Sequence, residues 1–451
     1  MRFGSFSEML RHFSGNAPDS AAVIRPEADG PYTVTWREFC ADIEKRRDAL
    51  VSSGKTCLGL LCDGSYEAVV EIFAANLAGL AVVMLDDTLP EEMLAELIAS
   101  TDCDLLSGDP EFTAALMPRL AGGMANGAGR LLFFTSGTTD RAKAVVLTDA
   151  SLMASAYNGS SLLPLSAEDR LMLMLPLSHV FGFVCGLLWG LSCGASVCLG
   201  RGARHYADDL DYFRPTALSA VPLLWGFLLS HKLCNPELKL VLIGAGDCPM
   251  QLISAGKAMG IRICFGYGLT ETSSGVALSI GDDPYAMTVC PEDKIRIADD
   301  GEILIEAPTC IMQGYYKRPA DTAAVLWDGV LFTGDIGYLD RKGRLIITGR
   351  KKEMLVLPDG TKIFLPEYEK ELCAALGTPE AAVVRIGDTV TLAVYVKDAT
   401  PDDIRKKINT VLVRRPRGQQ IRDIRILDSP LPRTATGKIK RWELMKRLER
   451  S

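Results

Sequence analysis

Short apolar runs alternate with stretches of helical spacing along the first third of the chain. Residues 58–62 (LGLLC) predict a buried strand, residues 65–80 an amphipathic helix, and residues 81–85 (AVVML) the next strand. Strands separated by helices predict a parallel α/β sheet, because a parallel pair needs a crossover and the helix supplies it. A Gly-rich flexible loop at 121–129 (AGGMANGAG) leads to a strand at 131–134, a polar loop and a second strand at 144–147. The middle of the chain continues with apolar strands at 240–243 and 261–265, each followed by a Gly-containing turn. Beyond residue 290 the spacing tightens into a β-rich region, with a strand at 303–306 and a hairpin through 340–343.

Residues 171–200 interrupt this rhythm. They hold no Asp, Glu, Lys or Arg, and Gly182, Gly186, Gly190 and Gly194 recur at every fourth position. A run that long reaches across a bilayer, and a stripe of small residues lets two helices approach closely. Pro176 and the polar Ser178, His179, Ser192 and Ser196 instead predict a buried helix packed on a sheet, entered from a turn at 176–179, and no membrane span.

At 451 residues the chain exceeds one ordinary hydrophobic core, so two or three packed units are expected. An apolar content of 48% with 23% charged residues excludes a disordered or collagen-like chain. The net charge of −7 argues against nucleic-acid binding by the whole molecule. That charge is unevenly spread: 28 basic residues stand against 42 acidic ones through residue 350, and 21 against 14 from residue 351 on. The basic turn after Gly349-Arg350 marks a domain boundary between 1–350 and 351–451, and the basic piece is expected to meet something anionic. Thirteen cysteines, without a C-x-x-C pair or a histidine at ligand spacing, predict reduced, mostly buried thiols of a cytoplasmic protein and no zinc site.

Thr135, Ser136, Gly137, Thr138, Thr139 and Lys143 fall between two of the predicted strands. Four hydroxyls, a glycine and a lysine in nine positions suit a phosphate cradle, although a Ser/Thr-rich surface turn has the same composition and the G-x-x-x-x-G-K-[ST] spacing is absent. Further along stand Leu175-Pro176-Leu177-Ser178-His179, Gly266-Tyr267-Gly268-Leu269-Thr270-Glu271, Thr333-Gly334-Asp335 and Gly349-Arg350-Lys351-Lys352-Glu353. Leu431-Pro432-Arg433-Thr434-Ala435-Thr436-Gly437-Lys438-Ile439 closes the series. In order and rough spacing this set resembles the adenylate-forming superfamily of acyl-CoA synthetases, amino-acid adenylation domains and luciferases, from about residue 30 to the C-terminus.

The resemblance implies an α/β fold, with a large N-terminal domain of layered α/β subdomains and a β-rich part, and a small mobile α+β lid from residue 351. It also implies that a carboxylate is joined to ATP with loss of pyrophosphate, and that the acyl group then passes from acyl-AMP to a thiol. By similarity, residues 135–143 hold the β- and γ-phosphates, Glu271 binds Mg²⁺ and Thr270 meets a phosphate oxygen. Gly244, Ala245, Gly246, Tyr267 and Gly268 frame the adenine, Asp335 takes the ribose hydroxyls, and Arg350 holds ribose or phosphate at the hinge. His179 is expected at the acyl group. Lys438 matches the family's mobile lysine, which bridges carboxylate and α-phosphate as charge builds.

Two departures modify these expectations. Where the family's loop usually continues Gly-x-Pro-Lys-Gly, this chain reads Asp140-Arg141-Ala142-Lys143-Ala144, so the loop gains a carboxylate and loses the stiffness of proline and the freedom of two glycines. Amino-acid adenylation domains hold the substrate amine with an aspartate in the segment that residues 175–182 occupy here, and these hold no acid, so the resemblance implies a carboxylic acid without an α-amine. The wording of 349–360 resembles long-chain fatty acyl ligases, with 171–200 lining an apolar acyl pocket. The acceptor thiol is then CoA or an acidic phosphopantetheinyl carrier protein facing the basic lid. A degenerate module that holds acyl-adenylate or ATP without turnover is the alternative from another class.

Overall fold

The computed structural model describes residues 1–124, 127–135, 142–246, 248–357, 362–387, 389–397, 399–433 and 439–450, with the backbone alone at 112, 203, 352, 356, 362, 442, 449 and 450. Among the described residues two large sheets dominate. In the first, of nine strands, the parallel series Ser196–Leu199, Arg170–Leu173, Ala217–Ala220, Leu240–Ile243 and Arg262–Leu269 forms the middle. Ala21–Glu27 extends it in parallel beside Ser196–Leu199, and Gly30–Thr35 closes that edge as a hairpin partner. The second sheet, of six strands, is built on parallel Leu105–Ser107, Cys57–Leu61, Ala81–Leu85 and Arg130–Phe134, followed by antiparallel Ala144–Thr148 and Gly314–Tyr315. Helices lie on these sheets, and their strands are apolar on both faces, as parallel strands must be.

Aromatic rings join the two sheets. Phe133, on a strand of the second sheet, lies 5.6 Å from Phe183, which belongs to a crossover of the first. Phe6 touches Phe183 at 6.1 Å and Phe73 at 5.0 Å, so the N-terminal helix Phe6–Asn16 is pinned into the same core. A five-stranded antiparallel sheet follows, with Glu302–Glu306 and Leu345–Arg350 flanking the long strand Val330–Leu339. From Leu357 on, the buried apolar residues gather in clusters that share none with the earlier chain, around the strands Ala381–Ile386, Thr389–Val394 and Asp423–Ile426.

One expectation is corrected. The second helix of the α/β alternation, Tyr66–Leu77, is not amphipathic: nearly every residue from Tyr66 to Asn76 is buried. The helix Trp36–Ser52 covers the face that would otherwise meet water, and the one acid in the middle, Glu71, is neutralised by Arg46. Residues 171–200 hold the expected buried helix, Val180 to Cys193, entered from the turn at 176–179, and flank it with two strands, Arg170–Leu173 and Ser196–Leu199, paired in parallel. Its glycine stripe faces these strands: a Cβ at Gly186 would lie 2.7 Å from Leu173, and one at Gly190 would lie 2.8 Å from Val197. Among the described residues no helix is long and apolar enough to cross a membrane. All thirteen cysteines are free thiols.

Candidate active site

Several of the residues named from the sequence lie where parallel strands end. Gly244, Ala245 and Gly246 follow Leu240–Ile243, Tyr267 and Gly268 close the neighbouring Arg262–Leu269, and Thr270 and Glu271 come directly after. His179 follows Arg170–Leu173 by one short turn. Carboxyl ends of parallel strands are where open α/β sheets bind ligands, because loops diverge there and leave a crevice. The second sheet contributes from the same side. His179 Nε2 lies 3.6 Å from a carboxylate oxygen of Asp86, the residue after Ala81–Leu85.

Sharp backbone geometry holds the 266–274 segment. Gly268 admits no Cβ, which would overlap the Ser274 carbonyl. Ser273 and Ser274 adopt φ of 52° and 103°, a region that side chains rarely tolerate. Buried hydrogen bonds oppose that strain. Ser273 Oγ donates to the Cys310 carbonyl at 2.7 Å, and Thr272 Oγ1 accepts from Leu269 N–H at 3.0 Å and donates to the Ser274 carbonyl at 2.9 Å. Strain of this kind is concentrated at functional positions, and here it lies next to Glu271.

Glu271 is aimed by its surroundings. Tyr315 Oη donates to Glu271 Oε1 at 2.6 Å, and no described residue bonds the second carboxylate oxygen. The Tyr315 ring also carries Lys143, whose Nζ lies 4.7 Å from the ring centroid. Burial and the Glu271 charge push the Tyr315 hydroxyl well above the ordinary range for a phenol, so it remains a donor. Lys143 is not free, however. Its Nζ lies 3.0 Å from Asp321, which also pairs with Arg318 at 3.4 Å, and the hydrogen bond from Lys143 holds the Asp321 carboxyl below its ordinary range. Thr135 closes the base of the loop, its N–H donating to the Lys143 carbonyl at 3.0 Å. Ser136, Gly137, Thr138, Thr139 and Asp140 lie outside the described residues, as does Lys438 with Thr434 through Gly437.

A second constellation stands on the long strand Val330–Leu339. Tyr267 Oη donates to Asp335 Oδ2 at 2.8 Å, and Arg350 Nε lies 3.1 Å from Asp335 Oδ1. Asp335 and Arg350 are direct cross-strand partners, so the sheet register itself brings the ion pair together. Asp335 is 5% exposed, and burial raises its carboxyl above the ordinary range even though Arg350 and Tyr267 pull it down. Gly244 is packed beneath the Phe181 ring, which a Cβ would meet at 2.8 Å.

Tyr315, Asp321 and Asp86 were not anticipated from the sequence. Tyr315 reaches the site because residues 314–315 pair with Val145 and Val146 as an edge strand, a contact between distant parts of the chain. A Glu271 oxygen that no described residue bonds, beside a hydroxyl residue, Thr270, fits Mg²⁺, which is commonly bound by one or two carboxylates together with substrate phosphates.

The AMP-binding enzyme family matches residues 127–316. An indoleacetate–CoA ligase of Aromatoleum aromaticum is 27% identical, with 96% of each chain covered. A 2-succinylbenzoate–CoA ligase of Bacillus pumilus is 30% identical over 57% of this chain and 56% of its own. An O-succinylbenzoate coenzyme A synthetase of Bacillus subtilis, solved in complex with ATP and magnesium ion, has a similar fold, with a TM-score of 0.80 and 23% identity over 97% of this chain and 99% of that one.

Proposed function

Because the chain belongs to the adenylate-forming superfamily of AMP-binding enzymes, we propose that it is an AMP-forming acid–thiol ligase that makes acyl-CoA from a compact apolar carboxylic acid. The carboxylate oxygen attacks the α-phosphorus of ATP and pyrophosphate leaves. The thiol of CoA then attacks the carbonyl carbon and AMP leaves. Two anions meet in the first step, so cationic groups have to stand where charge accumulates. Lys143 and the 135–139 hydroxyls serve the leaving pyrophosphate. Glu271, held by Tyr315, and Thr270 would hold Mg²⁺, which when bound neutralises phosphate charge. Asp335 receives the ribose hydroxyls beside Tyr267 and the 244–246 turn, and Arg350 steadies the same end. Residues 351–451 act as a lid that brings Lys438 to the reacting atoms.

The observation that carries this reading is the Lys143–Tyr315–Glu271 chain, which joins the phosphate loop to the metal carboxylate through one side chain. The acyl group is the finer part of the reading. Indoleacetate and succinylbenzoate, in the relatives' names, are aryl acids, and a cavity of about 30 Å³ behind the 266–275 strands is small. The names favour an aryl acid, and the small cavity a short one, over the long fatty acid that the wording of 349–360 suggested. The basic excess beyond residue 350 keeps a phosphopantetheinyl carrier protein as a second acceptor to be assayed. Incubation with ATP, Mg²⁺ and a panel of aryl, short-chain and long-chain acids, with CoA or carrier protein, should yield AMP, pyrophosphate and the thioester. Release of ADP and phosphate would refute adenylation.

A further inference from the structure

The cavity is walled by the elements that carry the site. Cys185 and Trp189 come from the crossover that begins at His179, Leu242 lies two residues before Gly244, and Leu278 is on the strand paired with 266–269. The crossover turn Val184–Leu188 is π-helical, a geometry concentrated at functional positions. The remaining wall is the helix Asp149–Leu162, from which Ser155 faces the space.

Ser155 is the anomaly in this lining. The surface around it is almost wholly apolar, the residue is 3% exposed, and its Oγ has no hydrogen-bond partner among the described residues. Serines in a helix ordinarily return the hydroxyl to a carbonyl one turn back. Ser160 and Ser161 of the same helix do so, to Tyr157 at 2.9 Å and Asn158 at 2.7 Å. A buried water would not resolve the matter, because such waters are held by about three polar partners and this wall offers one side-chain hydroxyl. A donor and acceptor left unpaired in an apolar space is destabilising, and it favours any ligand that satisfies it.

We propose that this cavity is the far end of the acyl site and that Ser155 selects carboxylic acids whose apolar body ends in a hydrogen-bonding group, a hydroxyl or a carbonyl. The inference rests on the ligase reading above for the direction of the acid, carboxylate towards His179 and the nucleotide, tail towards Ser155. About 30 Å³ accommodates a terminal polar group and not a ring. The body of the acid would then lie towards Gly244, which the Phe181 ring covers.

The test is titration calorimetry of the full chain with matched pairs: phenylpropanoate and its para-hydroxy counterpart, and hexanoate and its terminal hydroxy counterpart. The wild-type chain should bind the hydroxylated member of at least one pair about fivefold more tightly, the scale of one neutral hydrogen bond. Ser155→Ala should lose or reverse that preference. Alanine is the better helix former, so the variant should melt no lower than its parent. Quenching of fluorescence on binding that disappears in Trp189→Phe would locate the acid in the cavity. An equal preference in wild type and Ser155→Ala, binding of neither member, or a marked fall in the melting temperature of Ser155→Ala would each overturn the proposal. Pyrophosphate release separates the two readings: preference without release sinks the ligase and leaves Ser155 as the selector, whereas release without preference does the reverse.

Discussion

Two side chains decide how the phosphate end of the site works. Asp321 holds the ammonium of Lys143 at 3.0 Å, occupying the cation that the proposed function assigns to the triphosphate. The side chains are 27% and 38% exposed, so the pair is worth little and a polyanion displaces it. Asp321→Ala should therefore lower the KM for ATP by about two- to fivefold. A raised KM would mean instead that Asp321 orients the lysine. Tyr315 acts in the opposite sense, because its hydroxyl fixes Glu271 at 2.6 Å. Tyr315→Phe keeps the ring under Lys143 and removes only that bond. The Mg²⁺ concentration for half-maximal adenylation should rise by about tenfold, as expected for losing a hydrogen bond to a charged group. If it does not move, the tyrosine merely packs. Neither residue was legible in the sequence, since nothing local in Gly314-Tyr315-Tyr316 or in the helix Pro319–Ala323 announces a partner so far along the chain.

At the scale of elements, the strands were legible and the faces they present were not. Apolar runs at 81–85, 240–243 and 261–265 identify strands because parallel strands are buried on both sides. The motifs follow those strands, so their place at the carboxyl ends could be inferred as well. Burial on both sides is also why the strands that flank the helix in 171–200 were not told apart from it: without a polar face, helix and strand share one appearance, and only the pairing of Arg170–Leu173 with Ser196–Leu199 divides the run. The helix Asp149–Leu162 shows a further cost of deep burial. Asn158 Nδ2 donates to Asp293 Oδ2 at 3.1 Å, while Asp293 Oδ1 has no partner among the described residues. Burial first, and the Glu292 charge second, raise the Asp293 carboxyl to about 7. An unfolded aspartate titrates near 3.9, so the stability Asp293 contributes is full below about pH 4 and is lost as pH rises through about 7. Asp293→Asn cannot ionise, and its melting temperature should gain on the parent's between about pH 4 and pH 7 and then level off. A constant difference across that window would show that Asp293 ionises with an unshifted pKa in the folded protein.

For the whole molecule the division of labour between body and lid sets the prediction. If Lys438 meets the reacting atoms only in the adenylating pose, Lys438→Ala should slow adenylation by about 10² or more and leave thioester formation from supplied acyl-AMP nearly unchanged. Lys352→Pro, in the turn Lys351–Glu353 between the two parts, should impair the second half more, because proline restricts the dihedrals that a rotation uses. Equal losses in both halves for Lys438→Ala would make that lysine structural. The change to a basic composition after residue 350 is legible in the sequence, whereas the way the two large sheets share one aromatic core is not, since Phe6, Phe133 and Phe183 are far apart in sequence. That topology also sets a timetable for biosynthesis. Ala21–Glu27 pairs with Gly30–Thr35 at once, but its other edge belongs to Ser196–Leu199, which leaves the ribosome roughly 170 residues later. At about 5–20 residues per second the wait is about 10–35 s, during which a lone hairpin of marginal stability keeps one apolar edge open. The nascent chain is therefore exposed to aggregation while this hairpin waits for its partner, and slowing translation between residues 35 and 199 should lower the yield of native protein more than slowing it afterwards.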